Sequence, residues 1–153
     1  MNPPAARPGD GPAAEAAWFA RGLRFECSAC GKCCSNHGDG YEFVWSRHEE
    51  RVALARHFGV SLEEFEQTWC ESVEHGAEPS FKSRGQACIF LQDGRCSVYA
   101  LRPSQCRTFP FWPELLVDED TWQRDVASFC PGVGQGPLHS HESIRAQMRR
   151  SEL

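Results

Sequence analysis

The sequence contains no apolar run that approaches the ~20 residues needed to cross a membrane. Residues 1–17 also lack the basic start, the apolar stretch and the small-residue cleavage site of a signal peptide. They carry instead several prolines and glycines among alanines, a composition that does not support a packed core. We therefore expect a disordered leader over residues 1–17, one domain over residues 18–153, no membrane partner and a cytoplasmic location.

An excess of positive charge is missing as well. The 153 residues include 16 Lys and Arg against 21 Asp and Glu, which gives a formal net charge of −5. Non-specific affinity for nucleic acid depends on clustered lysines and arginines, so we expect no nucleic-acid partner. The sequence identifies no protein partner. It also lacks a phosphate-binding glycine loop, a Walker lysine motif and a Gly-x-Ser-x-Gly elbow, so no enzyme class is indicated and catalysis stays open.

What the sequence does have is nine cysteines. Thiols stay reduced in the cytoplasm, where clustered cysteines bind metal or carry out redox chemistry more often than they form disulfides. Cys27, Cys30 and Cys33 follow a Cys-x-x-Cys-x-x-Cys pattern, and Cys34 comes directly after them. Zinc sites and iron–sulfur sites both use this spacing. Gly31 favours the left-handed turn that such a loop needs. The segment therefore predicts metal ligation.

The cysteines outside this cluster fall into two groups. Cys70 ends an amphipathic helix and has no cysteine at ligand spacing, which is typical of a small buried hydrophobe. Setting it aside leaves eight candidate ligands: Cys27, Cys30, Cys33, Cys34, Cys88, Cys96, Cys106 and Cys130. Eight thiolates fit two tetrahedral zinc sites, or one cluster plus a second site. Adjacent cysteines such as Cys33 and Cys34 form a relaxed disulfide with difficulty, and they are more easily accommodated in two different sites.

Basic residues adjoin several of these cysteines. A site of four thiolates around zinc is a dianion, and neighbouring cations would offset its charge. The candidates are Lys32, Arg95, Arg102 and Arg107. An ordinary exposed position explains each of them equally well.

The local patterns predict an α+β fold, a small single domain of short helices and a hairpin whose loops are pinned by metal. Capping boxes at Ser46 with Glu49 and at Ser61 with Glu64 predict two helices, the first with an apolar face of Val52, Ala55 and Phe58. An Asp-Gly turn at residues 93–94 predicts a hairpin that joins a strand at 88–91 to 95–96 and brings Cys88 near Cys96. Further patterns predict a strand over 41–45 and helices over 118–129 and 140–150.

Several motifs together resemble a known family. They are Phe25-Glu26-Cys27 through Cys34, Cys88-Ile89-Phe90-Leu91, Arg95-Cys96-Ser97-Val98-Tyr99, the stretch from Arg102 to Glu114, and Cys130-Pro131-Gly132. In this order they resemble the YkgJ-like cysteine cluster proteins of bacteria, the CxxCxxCC zinc- or iron-chelating family. The resemblance implies metal chelation by the eight cysteines, with Cys70 outside the pattern. It leaves the choice between zinc and iron open.

The sequence leaves two metals and three functions open. The cysteine triplet and the Cys130-Pro131 pair resemble ferredoxin ligands and favour an iron–sulfur cluster by a small margin. Thiolate pairs on a hairpin and a loop-rich chain favour structural zinc. The first function is a metal-binding module. The second is a small iron–sulfur enzyme that modifies a protein or small molecule in a cleft near Tyr99 and Arg107. The third is a thiol redox or soft-metal protein that uses Cys33 and Cys34.

Overall fold

The computed structural model describes residues 17–34, 43–73 and 78–152. In this part of the chain the helices are α1 (His48–Phe58), α2 (Leu62–Trp69), α3 (Ser104–Thr108), α4 (Glu119–Trp122) and α5 (His141–Ser151). A π-helical turn, Gln123–Ala127, continues α4, and single 3-10 turns lie at Tyr99–Leu101 and Pro113–Leu115. None of the described helices is long and apolar enough to cross a membrane. The leader predicted over residues 1–17 lies almost entirely outside the described residues.

The strands are short and pair two by two. They are β1 (Leu23–Phe25), β2 (Cys70–Glu71), β3 (Ser80–Phe81), β4 (Ser83–Arg84), β5 (Ala87–Cys88), β6 (Leu91–Gln92), β7 (Arg95–Cys96) and β8 (Val133–His139). The antiparallel pairs are β1 with β8, β2 with β3, β4 with β5 and β6 with β7. The chain is therefore a small single domain of the α+β class, as predicted from the sequence.

The helix termini follow their sequence signals with one exception. Gly59 ends α1 with φ +70°, and the Ser61 side chain accepts from the Glu64 amide at 3.1 Å at the start of α2. The cap predicted for α1 at residues 46 and 49 is wrong by one residue. The observed N-cap is Arg47, whose amide donates to Glu50 Oε2 at 2.8 Å. Glu49 and Glu50 are adjacent, and either could be the glutamate of a capping box. Contacts of Glu50 with residues distant in the sequence determine that Glu50 takes this role.

The buried face of α1 also differs from the prediction. Ala55 is buried as expected, but Leu54 and Arg51 are the other buried residues, and Arg51 is only 5% exposed. Its guanidinium makes ion pairs with Glu66 at 2.9 Å and with Glu78 at 2.8 Å. A buried charge requires such partners. The sequence pattern alone assigns arginine to the surface, because the pattern does not show which acidic residues pair with it in the fold.

The predicted strand at 88–91 is divided between two hairpins. Cys88 pairs with Ser83 in the β4–β5 hairpin, whereas Leu91 pairs with Cys96 in the β6–β7 hairpin. The Asp-Gly turn at 93–94 is confirmed, and Asp93 itself has φ +50°. The strand predicted over 41–45 begins outside the described residues, and its last residue, Trp45, forms an isolated bridge with Ser80.

Two hydrophobic clusters build the interior, and both contact the cysteine-rich segment. The terminal core packs β1 and the C-terminal half together and is built from Ala17, Phe19, Phe25, Phe109, Phe111, Leu115, Leu116, Trp122, Val126 and Ile144. The hairpin core packs α1 and α2 on the small hairpins and is built from Val44, Leu54, Ala55, Phe65, Cys70, Phe81, Cys88, Phe90 and Val98.

Candidate metal centre

The cysteine-rich segment, residues 27–34, follows β1 as an irregular loop. It turns at two left-handed positions, Ala29 with φ 54° and Gly31 with φ 75°, and the Cys34 amide donates to the Gly31 carbonyl at 3.1 Å. A Cβ added at Gly31 would lie 2.6 Å from the carbonyl oxygen of Gly94. Glycine is therefore required both for the turn and for the close approach of the loop to the β6–β7 hairpin.

The other predicted ligands lie on separate elements. Cys88 ends β5, Cys96 ends β7, Cys106 is in α3, and Cys130 follows the π-helical turn. Backbone hydrogen bonds connect these elements to the cysteine-rich segment at both of its ends. The Cys88 amide donates to the Cys34 carbonyl at 2.8 Å, and the Glu26 amide donates to the Gly132 carbonyl at 3.2 Å.

All eight predicted ligands line one cavity of about 90 Å³: Cys27, Cys30, Cys33, Cys34, Cys88, Cys96, Cys106 and Cys130. A single water needs about 10–15 Å³ by the same measure, so the cavity has room for more than one small atom. Most of its remaining wall is apolar and includes Phe25, Phe90, Phe109 and Phe129. An apolar wall lowers the local dielectric and strengthens electrostatic interactions inside the cavity.

Cys70 lies elsewhere. It is 6% exposed, pairs with Phe81 across β2 and β3, and belongs to the hairpin core. Burial raises the pKa of its thiol to about 11. The prediction that Cys70 is a small buried hydrophobe is confirmed.

Backbone amides donate to the sulfur of four of the lining cysteines, and each sulfur accepts from the amide two residues further along the chain, with Val133 as a second donor to Cys130. The Ala29 amide lies 3.4 Å from Cys27 Sγ. Phe90, Val98 and Gly132 donate in the same way to Cys88, Cys96 and Cys130. An amide donor stabilises a thiolate relative to a thiol. At Cys88, Cys96 and Cys130 the amide donor therefore acts to lower the pKa of the thiol, toward the anionic form of sulfur that binds metal.

Burial acts in the opposite direction on the same thiols. It raises the pKa of Cys88 to about 12, and it also raises the pKa values of Cys96 and Cys130, against the effect of their amide donors. Cys106 has a pKa well above its usual range because it is buried and because the thiolates of Cys34, Cys88 and Cys96 repel it. Without a compensating cation, four thiolates cannot easily coexist here. A bound metal ion would supply such a charge.

The adjacent Cys33 and Cys34 are not equivalent. Their sulfurs lie 4.0 Å apart, and their hydrogen bond raises the pKa of Cys33 while it lowers the pKa of Cys34 to about 7. Burial also raises the pKa of Cys33. The two side chains pack in different directions, Cys33 against the terminal core and Cys34 against the hairpin core. Adjacent positions in the sequence thus belong to different surroundings.

Of the four predicted counter-cations, Lys32 and Arg102 line the cavity, whereas Arg95 and Arg107 do not. The Arg102 guanidinium lies 3.8 Å from the centre of the Tyr99 ring, and its Nε donates to the Tyr99 carbonyl at 3.0 Å. The Tyr99 hydroxyl forms a hydrogen bond with Cys27, and this hydrogen bond raises the pKa of Tyr99. The cavity therefore includes Tyr99, but Arg107, expected beside it in a cleft, is not part of its wall.

Arg107 faces Glu50, a residue that sequence reasoning missed. The two side chains approach to 3.7 Å. Glu50 Oε1 also accepts from the Ser104 amide at 2.7 Å and from the Ser104 hydroxyl at 2.6 Å. Glu50 thereby caps the N-terminus of α3, the helix that carries Cys106. It is 54 positions from Ser104 in sequence, so no local pattern connects the two.

Gln105 is a second missed residue. Its Oε1 accepts from the Trp45 amide at 2.6 Å, and its Nε2 donates to the Phe43 carbonyl at 2.9 Å. The side chain thus ties α3 to the segment that follows the cysteine-rich loop. Its position next to Cys106, inside the motif from Arg102 to Glu114, was the available signal.

In the part of the chain that the structure describes, no group of three or more His, Cys, Asp or Glu side chains is already arranged to hold a metal ion. The eight sulfurs share one cavity without converging on a common point. Rotation of side chains would be needed to bring four of them to ligand distance, and metal binding commonly couples to such ordering.

Fold and site together define a small α+β domain with a cavity rich in thiols. No solved structure matches the chain. A sequence model of the CxxCxxCC family, described as "Putative zinc- or iron-chelating domain", matches residues 26–131. The chain belongs to this family, and the resemblance noted in its sequence is confirmed. Membership supports metal binding by this domain.

Proposed function

We propose that this protein binds metal through thiolates in the shared cavity, as an iron–sulfur cluster in preference to zinc, with its ligands drawn from the eight lining cysteines. The observation that carries the proposal is the convergence of all eight on one apolar cavity while Cys70 lies outside it. Residues up to 103 positions apart in the sequence meet there, from Cys27 to Cys130. Chance burial of cysteine does not account for such selectivity.

The donor set fits soft metals. No histidine, aspartate or glutamate is among the described residues that line the cavity, so sulfur is the ligand type that the wall offers. Thiolates select zinc, copper(I) and iron–sulfur clusters, whereas magnesium and calcium require oxygen ligands. The amide donors at Cys27, Cys88, Cys96 and Cys130 suit either a zinc–thiolate site or a cluster, because both carry negative charge on sulfur.

Metal ligation would also hold this fold together. Strands β2 to β7 have two residues each, and isolated pairs of this length are marginal in water. Ligands on β5, β7 and α3 would connect two of these strands and a short helix through one centre. We therefore propose a binding module in which the metal is structural or regulatory, located in the cytoplasm where thiols stay reduced.

Elemental analysis with an optical spectrum of anaerobically purified protein tests this function. A cubane cluster predicts about four irons with sulfide and a broad visible absorption. Zinc sites predict bound zinc and no visible absorption. A Cys70→Ala variant is the matched control and should retain the metal content of the unaltered protein. Absence of bound metal in every preparation would overturn the proposal and leave the free thiols as the functional groups.

A further inference from the structure

The eight lining cysteines separate into two groups of four according to whether they contact the hairpin core. The inner set is Cys34, Cys88, Cys96 and Cys106, and all four pack within or against the hairpin core. The outer set is Cys27, Cys30, Cys33 and Cys130. Cys33 and Cys130 pack against the terminal core, and Cys27 and Cys30 are exposed residues of the loop that follows β1.

Electrostatic contacts connect the inner set completely. Cys34 interacts with Cys88, Cys96 and Cys106, Cys88 interacts with Cys96 and Cys106, and Cys96 interacts with Cys106. Every pair among the four thiols therefore interacts electrostatically, and all four side chains line the same cavity. The backbone explains the arrangement, because the Cys88 amide donates to the Cys34 carbonyl at 2.8 Å. The β6–β7 hairpin then brings Cys96 to the same wall.

The outer set is assembled by the two ends of the domain. Phe25 pairs with Val133, and the Glu26 amide donates to the Gly132 carbonyl at 3.2 Å. A Cβ on Gly132 would collide with the Glu26 carbonyl oxygen, so glycine permits this approach. This approach brings the chain around Cys130 to the start of the cysteine-rich segment, and electrostatic interactions link Cys130 with Cys27 and Cys30, and Cys27 with Cys33.

We propose that the cavity holds two four-thiolate sites, an inner site of Cys34, Cys88, Cys96 and Cys106 and an outer site of Cys27, Cys30, Cys33 and Cys130. This rests on the proposed metal-binding function and assigns the adjacent Cys33 and Cys34 to different sites. Four thiolates are the ligand set of a tetrahedral structural zinc or of a single iron–sulfur cluster. The sites are neighbours, since contacts also link Cys33 with Cys34 and Cys106, and Cys27 with Cys96.

Anaerobic Co²⁺ titration of the metal-free full-length chain tests the partition, because thiolate-to-cobalt absorption reports sulfur ligands. The unaltered protein should bind two Co²⁺. An inner double variant, Cys34→Ser with Cys88→Ser, and an outer double variant, Cys27→Ser with Cys130→Ser, should each keep one four-thiolate Co²⁺. A mixed variant, Cys34→Ser with Cys130→Ser, removes the same number of thiols but should keep none. A mixed variant that retains one four-thiolate site would overturn the partition.

A footprint on the unaltered protein avoids dependence on variant folding. Alkylation with mass spectrometry after one equivalent of Co²⁺ should show the four cysteines of one set protected together. Joint early protection of Cys33 with Cys34 would contradict the assignment while metal binding itself stood. If the unaltered protein bound no Co²⁺ and protected no cysteine, the proposed function would fail together with the partition.

Discussion

The inner and outer sets of cysteines sit in the same cavity but are positioned by different forces. In the inner set Cys88 is buried and the other three are half-buried. Cys88, Cys96 and Cys106 lie on hairpins or a helix, Cys34 ends the irregular loop, and all four pack within or against the hairpin core. In the outer set Cys27 and Cys30 are exposed on an irregular loop that a backbone contact holds against Gly132. Hydrophobic packing thus preorganises one group of ligands, while the other depends on a close approach of main chains. We therefore expect substitutions in the two sets to differ in their effects on stability and on metal binding.

The largest effect is expected from loss of an inner ligand. Cys88→Ser should lower the free energy of unfolding of the metal-loaded protein by more than about 4 kcal/mol, the range reached when a metal ligand is lost from a core. Cys27→Ser should cost less, because its side chain is exposed and contributes little packing. Urea unfolding at a fixed free metal concentration measures both, since bound metal itself shifts apparent stability. Equal losses would remove the distinction between the sets.

Gly132→Ala tests how the outer set is held. The new methyl group would meet the Glu26 carbonyl oxygen, so the strand ends must move apart, at a cost of about 1–3 kcal/mol in the free energy of unfolding. The accompanying displacement of Cys130 should weaken the outer site and leave the inner site loaded. Gly134→Ala is a control with open space at its Cβ, although its φ of +79° brings backbone strain. Equal loss of metal from the two sites in Gly132→Ala would contradict this account.

The features that could be predicted from the sequence are those determined by residues close to one another in the chain. Spacing and turn signals identified Cys27 to Cys34, the left-handed Gly31, the cap of α2, and the Asp-Gly turn at 93–94. The α+β class followed from them. The local pattern also set Cys70 apart, because an amphipathic helix leads directly into it.

The missed features depend on partners that are distant in sequence. Arg51 is buried because Glu66 and Glu78 surround it, and the register of the α1 cap is selected by the bonds of Glu50 to Ser104. The division of residues 88–91 between two hairpins follows from pairing with Ser83 and Cys96. Neither periodicity nor composition contains these contacts.

Arg102 offers a selective test of the inner site. It lines the cavity and interacts electrostatically with Cys34, Cys96 and Cys106, all members of the inner set. Arg102→Gln removes the charge that offsets these thiolates and should weaken inner-site Co²⁺ affinity about 10- to 100-fold, the usual effect of residues that surround ligands. Competition titration with a chromophoric chelator measures the affinity.

Two further substitutions separate charge from shape in that test. Arg95→Gln removes the same charge next to Cys96 but outside the cavity, and it should leave the affinity within about two-fold, as expected for an exposed charge. Arg102→Lys keeps the charge and loses the planar stack on Tyr99, so it should recover most of the affinity. A loss of affinity in Arg102→Lys equal to that in Arg102→Gln would indicate that stacking, and not charge, is the contribution.

The smallest effect concerns Glu50, which supports the inner set indirectly through α3. Glu50→Gln keeps the shape of the side chain but loses the charge that faces the Ser104 amide and hydroxyl, and it should cost about 1–2 kcal/mol, the value of a helix cap. Glu49→Gln, on the exposed side of the same helix turn, is the matched control and should change the free energy of unfolding by less than about 0.5 kcal/mol.

The dependence of this stabilisation on pH has a definite sign. Burial alone would raise the pKa of Glu50, but hydrogen bonds from Arg47 and Ser104 outweigh it, and the pKa is lowered on folding. The carboxylate therefore contributes its full stabilisation above the unfolded value of about 4.3, and the contribution is lost as pH falls from there through the folded pKa. The difference in unfolding free energy between the unaltered protein and Glu50→Gln should be constant near neutral pH and should shrink under acid. A difference that stayed constant down to pH about 3 would show that the Glu50 charge does not stabilise α3.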